Sequence, residues 1–492
     1  MAGVPDIRIR LIGDQPTVNR DGQYVLYWMT AFRRTSWNFG LQRAVQWARD
    51  LRKPLLVLEA LRCGYRWASD RLHQFVIQGM ADNQARLARG NAFYFPYLEP
   101  EPGAGRGLLA QLSARACVVI GDDFPCFFLP RMVAAARSQV PTRLEIIDSN
   151  GLLPMRAADR TFARAFDFRR FLQRNLLPYL EPDSLPDEDP LRQCRLPVLE
   201  SLPKEILRRW PAAKPKEIAD QPQRLSRFPI DHQVTPTATA GGPEAAQRTL
   251  QRFVDERLPR YGESRNDPDV EATSGLSPYL HFGHLSVHQV FSEVMRCAGW
   301  RPEQVSAKVT GSSHDWWGVD DAVESFLDEL ITWREIGYNM CSRNGDYDRY
   351  DSLPDWARRT LASHADDPRE PSYTLEQFES AATHDPLWNA AQRQLVREGR
   401  IHNYLRMLWG KKILEWSASP QAALEILIEL NNKYALDGRN PNSYSGIFWV
   451  LGRYDRAWGP ERPIFGTIRY MSSENTARKV RVKEYLRRYG PD

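Results

Sequence analysis

Cysteine is scarce in this chain, and the spacing of the few cysteines excludes several kinds of site. The 492 residues contain six cysteines, which are scattered along the chain without a C-x-x-C pair. Such scattering argues against a disulfide framework, a zinc ribbon and a cysteine-ligated cluster. It favours a protein of a reducing compartment.

Long hydrophobic runs are lacking as well. No apolar run approaches the length of a membrane span, and residues 1–22 contain no apolar core of a secretory signal. The composition, with 42% hydrophobic and 26% charged residues, is that of a globular protein with enough chain for two or three domains. We therefore expect a cytoplasmic protein that makes no membrane contact.

Glycine-rich phosphate loops are absent from the first third of the chain. Neither a G-x-G-x-x-G nor a Walker sequence follows a predicted strand, which argues against the usual dinucleotide and nucleoside-triphosphate sites. Residues 23–150 instead alternate between apolar runs and amphipathic helical windows such as residues 38–51. This alternation predicts an α/β domain with a doubly wound, Rossmann-like parallel sheet. The predicted strands are Tyr24–Met29, Pro54–Leu61, Phe93–Pro96, Cys117–Gly121 and Arg143–Asp148.

Strand signals nearly vanish in the second half of the chain. Prolines recur amid mixed charge from residue 151 to 244, which indicates a long interdomain connection. From residue 245 to 492 helical windows dominate, and we predict an all-α domain there. The sequence thus predicts an α/β domain (1–150), a connection (151–244) and a helical domain (245–492).

A metal site finds little support in the sequence. His281, His284 and His288 have the spacing of one helix face, but no carboxylate or cysteine stands nearby at ligand spacing. We therefore expect no metal.

A polar turn in the second half combines side chains that suit a flat, polar heteroaromatic ligand. Residues 437–443 read DGRNPNS and separate a helical run from an aromatic segment with Phe448 and Trp449. The fifteen tryptophans of the chain favour ligand stacking or electron transfer, because aliphatic residues fill a core without an indole N–H to satisfy. The alternative interpretation is a surface loop between two helices.

Two further segments have two interpretations each. Thr273–Ser277 offers hydroxyls and free backbone N–H groups to phosphate oxygens, or else it caps the following helix. Glu329 and Trp333 stand at i and i+4, so one helix face presents a carboxylate beside an indole. This pair suits hydrogen bonding to a base edge and stacking on a neighbouring base; equally, Glu329 pairs with a nearby arginine.

The helix predicted over residues 400–416 is rich in aromatic residues. Asn403 and Met407 point the same way. Trp409 and Trp416 are seven residues apart on one face, about 10.5 Å along the axis at ~1.5 Å per residue. Packed core is one interpretation of these tryptophans. With Trp388 of the preceding helix they also suit stepwise electron transfer.

Positive charge is concentrated near the C-terminal end. Residues 469–488 contain seven lysines or arginines against two glutamates, whereas the whole chain has a net charge of only +5. Such a segment either faces phosphates or forms a solvated helix.

Together these motifs resemble the photolyase/cryptochrome family, and most closely its class II cyclobutane pyrimidine dimer (CPD) photolyases. The resemblance implies a helical domain that binds FAD in a folded conformation, and a light-driven repair of DNA. Photoexcited FADH⁻ would transfer an electron to a flipped-out dimer, whose cyclobutane ring splits before the electron returns. The motifs that carry the likeness are ATSGLSPYLHFG (272–283), DELITWRE (328–335), HNYLRMLWGKKILEW (402–416), NNKYALDGRNPNSYSGIFW (431–449) and RPIFGTIRYM (462–471).

The resemblance also implies roles for individual residues. Asn431 matches the amide that faces flavin N5, with Asn442 as the second candidate, and Glu329 matches the acid that hydrogen-bonds the dimer. The residues that match the FAD-phosphate segment are Tyr261, Thr273, Ser274, Gly275, Leu276 and Ser277, and the residues that match positions around the flavin and its ribityl chain are Asn403, Arg406 and Asp437. The walls of the dimer pocket are matched by Trp333, Met407 and Trp449, and the electron chain is matched by Trp388, Trp409 and Trp416. The residues matched to DNA contacts are Arg469, which would reach into the gap left by the lesion, and Arg478 and Lys479 in the same basic tail.

Two stretches depart from the family pattern. Residues 29–41 differ from the usual acidic, glutamine-containing form, so a deazaflavin antenna chromophore in the α/β domain is an open expectation. Asn440 and Ser443 stand where aspartate and glycine are common, which keeps the supply of amides and carboxylates.

The resemblance implies a light-dependent DNA repair lyase, which we expect to be monomeric. The main alternative is a cryptochrome-like blue-light photoreceptor flavoprotein without repair activity, and a third is a non-catalytic DNA-binding flavoprotein. The combination of Glu329, Trp333, Met407 and Trp449 favours repair, because a photoreceptor needs no dimer pocket. Repair of (6-4) lesions is a lesser alternative, since its catalytic histidine has no counterpart here.

Overall fold

The chain folds into two compact units, each assembled from separated stretches. The computed structural model describes residues 3–13, 17–192 and 194–491. The first unit comprises Met1–Asp159, Leu176–Gln251 and Leu276–Val294, and the second comprises Arg160–Asn175, Arg252–Gly275 and Met295–Asp492. These two units combine separated stretches of the chain, whereas the three domains predicted from the sequence are continuous ranges. The predicted boundaries therefore stay predictions.

A six-stranded sheet forms the centre of the first unit. Its strands are β1 (Ile9–Ile12), β2 (Tyr24–Met29), β3 (Leu55–Leu61), β4 (Phe93–Leu98), β5 (Ala116–Asp122) and β6 (Leu144–Ile147). They lie in the order β1–β6–β5–β2–β3–β4, with β1 antiparallel to β6 and every other pair parallel. The predicted doubly wound parallel sheet is confirmed.

Helices cover both faces of this sheet, as its wholly buried strands β2, β5 and β6 require. All six residues of β2 are buried, and they alternate between two cores. Leu26 and Trp28 pack on one side with Leu112, whereas Val25 and Tyr27 pack on the other with Leu41. The helix of Leu41 begins where predicted, because the Asn38 side chain accepts hydrogen bonds from two backbone N–H groups of its first turn.

The second unit is helical. Over the described residues of both units, the α-helices are α1 (Phe39–Leu51), α2 (Asp70–Leu87), α3 (Leu108–Ser113), α4 (Leu129–Ala136), α5 (Ala165–Asn175), α6 (Lys204–Arg209), α7 (Pro215–Ala219), α8 (Pro243–Arg252), α9 (Tyr261–Ser264), α10 (Ser277–His281), α11 (Val287–Cys297), α12 (Asp321–Leu327), α13 (Arg334–Arg343), α14 (Asp355–Ser363), α15 (Leu375–Glu379), α16 (Pro386–Glu398), α17 (Asn403–Trp416), α18 (Pro420–Tyr434), α19 (Pro441–Val450), α20 (Ser473–Lys479) and α21 (Lys483–Tyr489). Across the described residues, no helix is both long and apolar enough to cross a membrane.

Two glycines allow the helices of the second unit to approach closely around α19. A Cβ on Gly337 of α13 would lie 2.6 Å from the Pro441 carbonyl oxygen, and a Cβ on Gly410 of α17 would overlap a methyl group of Val450. Only glycine permits both contacts. Close backbone packing therefore holds α13 and α17 against α19, and α17 and α19 carry Asn403, Arg406, Met407, Trp409, Trp416, Asn442 and Trp449 among the predicted site residues.

Candidate functional site

Glu329 and Trp333 lie on a widened turn between α12 and α13. Residues Asp328–Trp333 form a π-helical segment, where the sequence predicted an ordinary helix. The intervening Leu330, Ile331 and Thr332 are buried, whereas Glu329 and Trp333 are only partly buried. The carboxylate and the indole are thus accessible from outside the packed core. Wide turns of this kind are frequent at functional sites.

Arg265 is the partner of Glu329, and it was not among the residues predicted from the sequence. Its Nη1 donates to Glu329 Oε1 at 2.5 Å, so the predicted alternative of a nearby arginine is observed. Both side chains keep solvent access, 26% for Arg265 and 31% for Glu329. Desolvation raises the pKa of the Glu329 carboxyl above its ordinary value, although the charge of Arg265 opposes this shift. The signal for Arg265 was its place four residues after Tyr261.

Tyr261 is buried in an aromatic cluster beside this pair. Its ring meets Phe253 edge-on at 5.7 Å and Phe326 at 5.4 Å. The Arg265 guanidinium lies 5.7 Å from the Tyr261 ring centroid. Burial raises the pKa of the Tyr261 phenol, so the hydroxyl is neutral at physiological pH. The structure therefore brings Tyr261 and Glu329 together through Arg265.

The other residues matched to FAD phosphates are divided between the two units. Thr273, Ser274 and Gly275 are partly buried residues of the second unit, and Gly275 has a positive φ of 70°. Leu276, which is buried, and Ser277, the exposed first residue of α10, belong to the first unit.

One side of α17 presents polar and apolar side chains in succession. Asn403, its first residue, is exposed, while Arg406 and Met407 are partly buried. Arg406 Nη2 lies 3.3 Å from Asp437 Oδ1, in the polar turn that follows α18. This ion pair is mostly buried, with 24% and 14% of the two side chains exposed. The structure thus joins the two charged residues that were matched to the flavin surroundings.

Asn431 is held in place by a network of amides and hydroxyls. Its Nδ2 donates to Ser443 Oγ at 2.6 Å and to Asn432 Oδ1 at 3.2 Å. Asn432 in turn donates to the Tyr444 hydroxyl at 3.2 Å. Asn442 is exposed, so Asn431 is the buried and fixed amide of the two candidates. Ser443, noted above as a departure from the family pattern, supplies the partner of Asn431.

The three tryptophans matched to the electron chain are brought together. All are buried, with exposures of 0% for Trp388, 2% for Trp409 and 3% for Trp416. Trp388 Nε1 donates to the Trp409 carbonyl oxygen at 3.0 Å, and the Trp388 and Trp416 rings are 6.1 Å apart. Trp409 Nε1 donates to Gln392 Oε1 at 2.9 Å.

Two cations lie near the ring of Trp449. On α19 it is partly buried, with Lys411 Nζ 4.7 Å and Arg469 Cζ 5.6 Å from its ring centroid. The exposed Arg469 also lies 4.9 Å from the ring of Trp458, which was not among the residues predicted from the sequence. Trp458 is fixed by its indole N–H, which donates to Asp455 at 3.0 Å.

The basic C-terminal segment is only partly available to a ligand. Arg478 and Lys479 are exposed in the last turn of α20. Arg481 instead pairs with Asp267 at 2.6 Å, and Arg488 pairs with Glu398 at 3.0 Å. The segment therefore combines docked and exposed cations.

The histidines considered as metal ligands lie in the first unit. His284 is buried, stacks on Phe75 at 5.1 Å, and its Nδ1 accepts a hydrogen bond from the Gly242 backbone N–H at 3.0 Å. His288 is also buried and meets Phe39 edge-on at 5.3 Å. Over the described ranges, no three histidine, cysteine or acidic residues are grouped as a metal site would require.

Comparison with curated proteins finds relatives over nearly the whole chain. A deoxyribodipyrimidine photo-lyase of Methanothermobacter thermautotrophicus is 34% identical over 483 residues, which cover 98% of this chain and 97% of that protein. The proteins of the same name from Potorous tridactylus and Arabidopsis thaliana are 32% and 31% identical, over 98% of this chain and 84% and 91% of theirs. No family model matches the chain.

Comparison with solved structures finds the same fold. A class III photolyase from Agrobacterium tumefaciens superposes with a TM-score of 0.66 at 17% identity, over 95% of this chain and 86% of that chain. A cryptochrome from Synechocystis superposes with a TM-score of 0.68 at 16% identity, over 95% and 88%.

Proposed function

The chain belongs to the deoxyribodipyrimidine photo-lyase family, and we propose on this premise that it repairs CPDs in UV-damaged DNA by light-driven electron transfer. The observation that carries the proposal is the partly exposed pair Glu329–Trp333, with Arg265 beside it. A carboxyl group held by an arginine and flanked by an indole suits the hydrogen-bonding edge and the flat face of a flipped-out dimer. A damaged pair is also the least costly pair to extrude from the duplex.

FAD is the cofactor that fits the donor set of the second unit. Arg406 and Asp437 offer opposite charges side by side, and Asn431 offers an amide fixed from behind, which suits the donors and acceptors of a flavin ring. Tyr261 and Thr273–Gly275 offer a hydroxyl and backbone N–H groups to the FAD phosphates. When bound in its reduced form and excited by light, FAD supplies the electron that opens the dimer.

The chain's own residues bind and orient the dimer. Glu329, in its protonated form, donates a hydrogen bond at the dimer edge and thereby stabilises the negative charge of the added electron. Trp333, Met407 and Trp449 stack on the dimer and exclude water from it. Arg265 keeps the Glu329 carboxyl in one orientation until the dimer arrives.

The tryptophans Trp388, Trp409 and Trp416 carry electrons toward the cofactor. Their burial and their contacts support this, since fixed, dry aromatic rings need little reorganisation when their charge changes. Arg469 enters the DNA gap from which the dimer is extruded, and Arg478 and Lys479 contact phosphates.

An antenna chromophore such as a deazaflavin has a candidate place in the first unit. Four partly buried aromatic residues follow the carboxyl ends of β3 and β5, where ligands of such sheets bind. They are Tyr65, Trp67, Phe127 and Phe128, with Arg62 and Arg66 above two of the rings. Stacking surfaces and positive charge suit a planar anionic chromophore, and absorption spectra of the purified protein test for it.

The competing proposal is a blue-light photoreceptor. The Synechocystis cryptochrome shares the fold of this chain, so the fold by itself does not separate the two functions. Glu329 and Trp333 favour repair, because a photoreceptor has no use for a dimer pocket.

Repair of a single thymine dimer in a defined oligonucleotide tests the proposal. Purified, chemically reduced protein is illuminated with near-UV or blue light, and a dark sample is the control. We expect light-dependent loss of the dimer. Bound, reducible FAD without any repair would instead support the photoreceptor.

A further inference from the structure

Lys411 is a buried cation in the middle of the second unit. Its side chain lies on α17 with 0% exposure, two residues after Trp409. Its Nζ donates to the Val450 carbonyl oxygen at 2.7 Å. Lys411 forms no ion pair with any residue that the structure describes. A buried ammonium without a carboxylate is costly, so the surrounding groups must compensate for its lost hydration.

Two features of the fold stabilise this ammonium. Val450 is the last residue of α19, and the carbonyl groups at the end of a helix carry partial negative charge. The ring of Trp449, one residue earlier, lies 4.7 Å from Nζ and presents its electron-rich face to the cation. Lys411 therefore binds to both the end of α19 and the indole that this helix carries.

The close approach of α17 and α19 makes this contact possible. Gly410 lies directly against Val450, where a Cβ would overlap the valine side chain. The neighbouring Lys411 is thereby brought within reach of Val450 and Trp449. Gly410 and Lys411 thus connect α17 to the end of α19, the first by close packing and the second by a hydrogen bond.

Few charges act on Lys411. Burial lowers the pKa of its amine from 10.5 to about 7, with Asp455 opposing this shift and Arg469 adding to it. The amine therefore changes charge near physiological pH, and the ordinary pKa of a lysine does not describe it.

We propose that Lys411 is a positioning residue for Trp449: its ammonium fixes the indole that walls the dimer pocket and places a positive charge behind it. This inference rests on the proposed function, since the dimer pocket is part of that proposal. The charge behind the indole attracts the lesion and the electron that it receives. Arg469, near the same ring, is the exposed counterpart of this buried cation.

A double-mutant cycle on lesion binding in the dark tests the inference. The dissociation constants for dimer-containing and undamaged oligonucleotides are measured for FAD-loaded wild type, Lys411→Met, Trp449→Phe and the double variant. We expect Lys411→Met to weaken the preference for the dimer about tenfold at pH 6.5, the effect of losing one desolvated cation–π contact. The double variant should lose little more than Trp449→Phe alone, because Lys411 acts through Trp449.

Lys412→Met is the matched control on the same helix. Lys412 pairs with Glu415 at 2.7 Å, and its distance to the Trp416 ring is 5.2 Å, so it is a neighbouring cation with other partners. Its removal should leave the dimer preference unchanged. Equal losses for the two lysine variants, or additive losses in the cycle, would overturn the proposal.

The pH profile supplies a readout that needs no lysine variant. Wild type should lose dimer preference as the pH rises through 7, because Lys411 then becomes neutral. Trp449→Phe should have a flat profile although Lys411 is intact, so the test stands even if Lys411→Met does not fold. A pH dependence that persists in Trp449→Phe would refute the coupling. If the wild type neither prefers nor repairs the dimer, the proposed function is contradicted. If the wild type is active but the double-mutant cycle shows no coupling between Lys411 and Trp449, only the inference about Lys411 is contradicted.

Discussion

Glu329 combines two interactions that a repair enzyme would use in turn. In the structure its carboxylate is held by Arg265 at 2.5 Å, yet a third of the side chain stays exposed. The raised pKa of this carboxyl indicates a poorly solvated position. The dimer would therefore meet a carboxyl group that is already oriented and whose raised pKa favours the protonated form. A protonated carboxyl can donate a hydrogen bond to the negative charge that the dimer gains.

We predict that Glu329→Ala keeps FAD bound but lowers the quantum yield of repair about tenfold, the loss expected for one charge-assisted hydrogen bond. The measurement is dimer loss per absorbed photon in the reduced enzyme, with FAD absorbance as the check on binding. Asp328→Asn is the control, because Asp328 pairs instead with Arg169 at 2.7 Å. An unchanged yield in the Glu329 variant would remove this residue from the mechanism.

Trp409 separates photoreduction from repair. Its indole is buried and hydrogen-bonded to Gln392, and its backbone carbonyl accepts from Trp388. We predict that Trp409→Phe blocks light-driven reduction of oxidised FAD and leaves repair by chemically reduced enzyme intact. Trp210→Phe, a buried tryptophan of the first unit, is the control. Equal photoreduction in the Trp409 variant and the wild type would contradict the electron-chain proposal.

At the scale of residues, sequence reasoning finds groups but not their partners. Asn431 was singled out from the polar loop motif, whereas its bond to Ser443 depends on how α18 and α19 meet. Lys411 could not be distinguished from Lys412 in the sequence, since both stand in one helical turn. Their difference, burial against Val450 on one side and a pair with Glu415 on the other, is a property of packing.

At the scale of elements, the last helix ties together two stretches of the second unit. The Asp269 carboxylate accepts hydrogen bonds from the backbone N–H groups of Glu484 and Tyr485, at 3.2 and 2.7 Å, in the first turn of α21. The Tyr485 hydroxyl donates to Gln394 at 2.8 Å on α16. The loop around Asp269, which leads into Thr273, is therefore anchored by α21.

We predict that Asp269→Ala releases FAD about fivefold faster, because losing a helix cap of this kind costs about 1 kcal/mol and loosens the loop before Thr273. The measurement is the rise of FAD fluorescence after dilution of the loaded protein. Asp366→Ala is the control, since Asp366 is an exposed residue elsewhere in the second unit. The same release rate in both variants would mean that α21 does not hold the FAD segment.

Element types were predictable where burial is uniform, and not where geometry departs from the common helix or strand. The wholly buried β2 was predicted at its observed bounds, because a continuous apolar run has few alternatives. The edge strand β1 was missed, since its residues are partly exposed and include Arg10. The π-helical turn at Asp328–Trp333 was missed because its hydrogen bonds differ from an α-helix by one residue, which leaves no periodic trace in so short a segment.

At the scale of the whole molecule, positive charge is not in large excess. The net charge is only +5, so non-specific attraction to a polyanion must come from local clusters. Within the C-terminal segment Arg481 and Arg488 are consumed by ion pairs, while Arg478 and Lys479 are exposed and form no ion pair in the part of the chain that the structure describes. The available charge is therefore smaller than the sequence count suggests.

This arrangement predicts two kinds of DNA-binding variant. Arg478→Gln combined with Lys479→Gln should weaken binding to damaged and undamaged DNA alike, and should lower the slope of log affinity against log salt by roughly 1.8 if both side chains contact phosphates.

Arg469→Ala should instead weaken binding to the dimer more than binding to undamaged DNA, because its partners Trp449 and Trp458 place it beside the proposed dimer pocket. Titrations at several salt concentrations separate the two effects. Equal losses of dimer preference in both variants would contradict the separate roles proposed for Arg469 and for Arg478 with Lys479. An unchanged salt slope in the Arg478/Lys479 variant would mean that α20 does not contact the DNA.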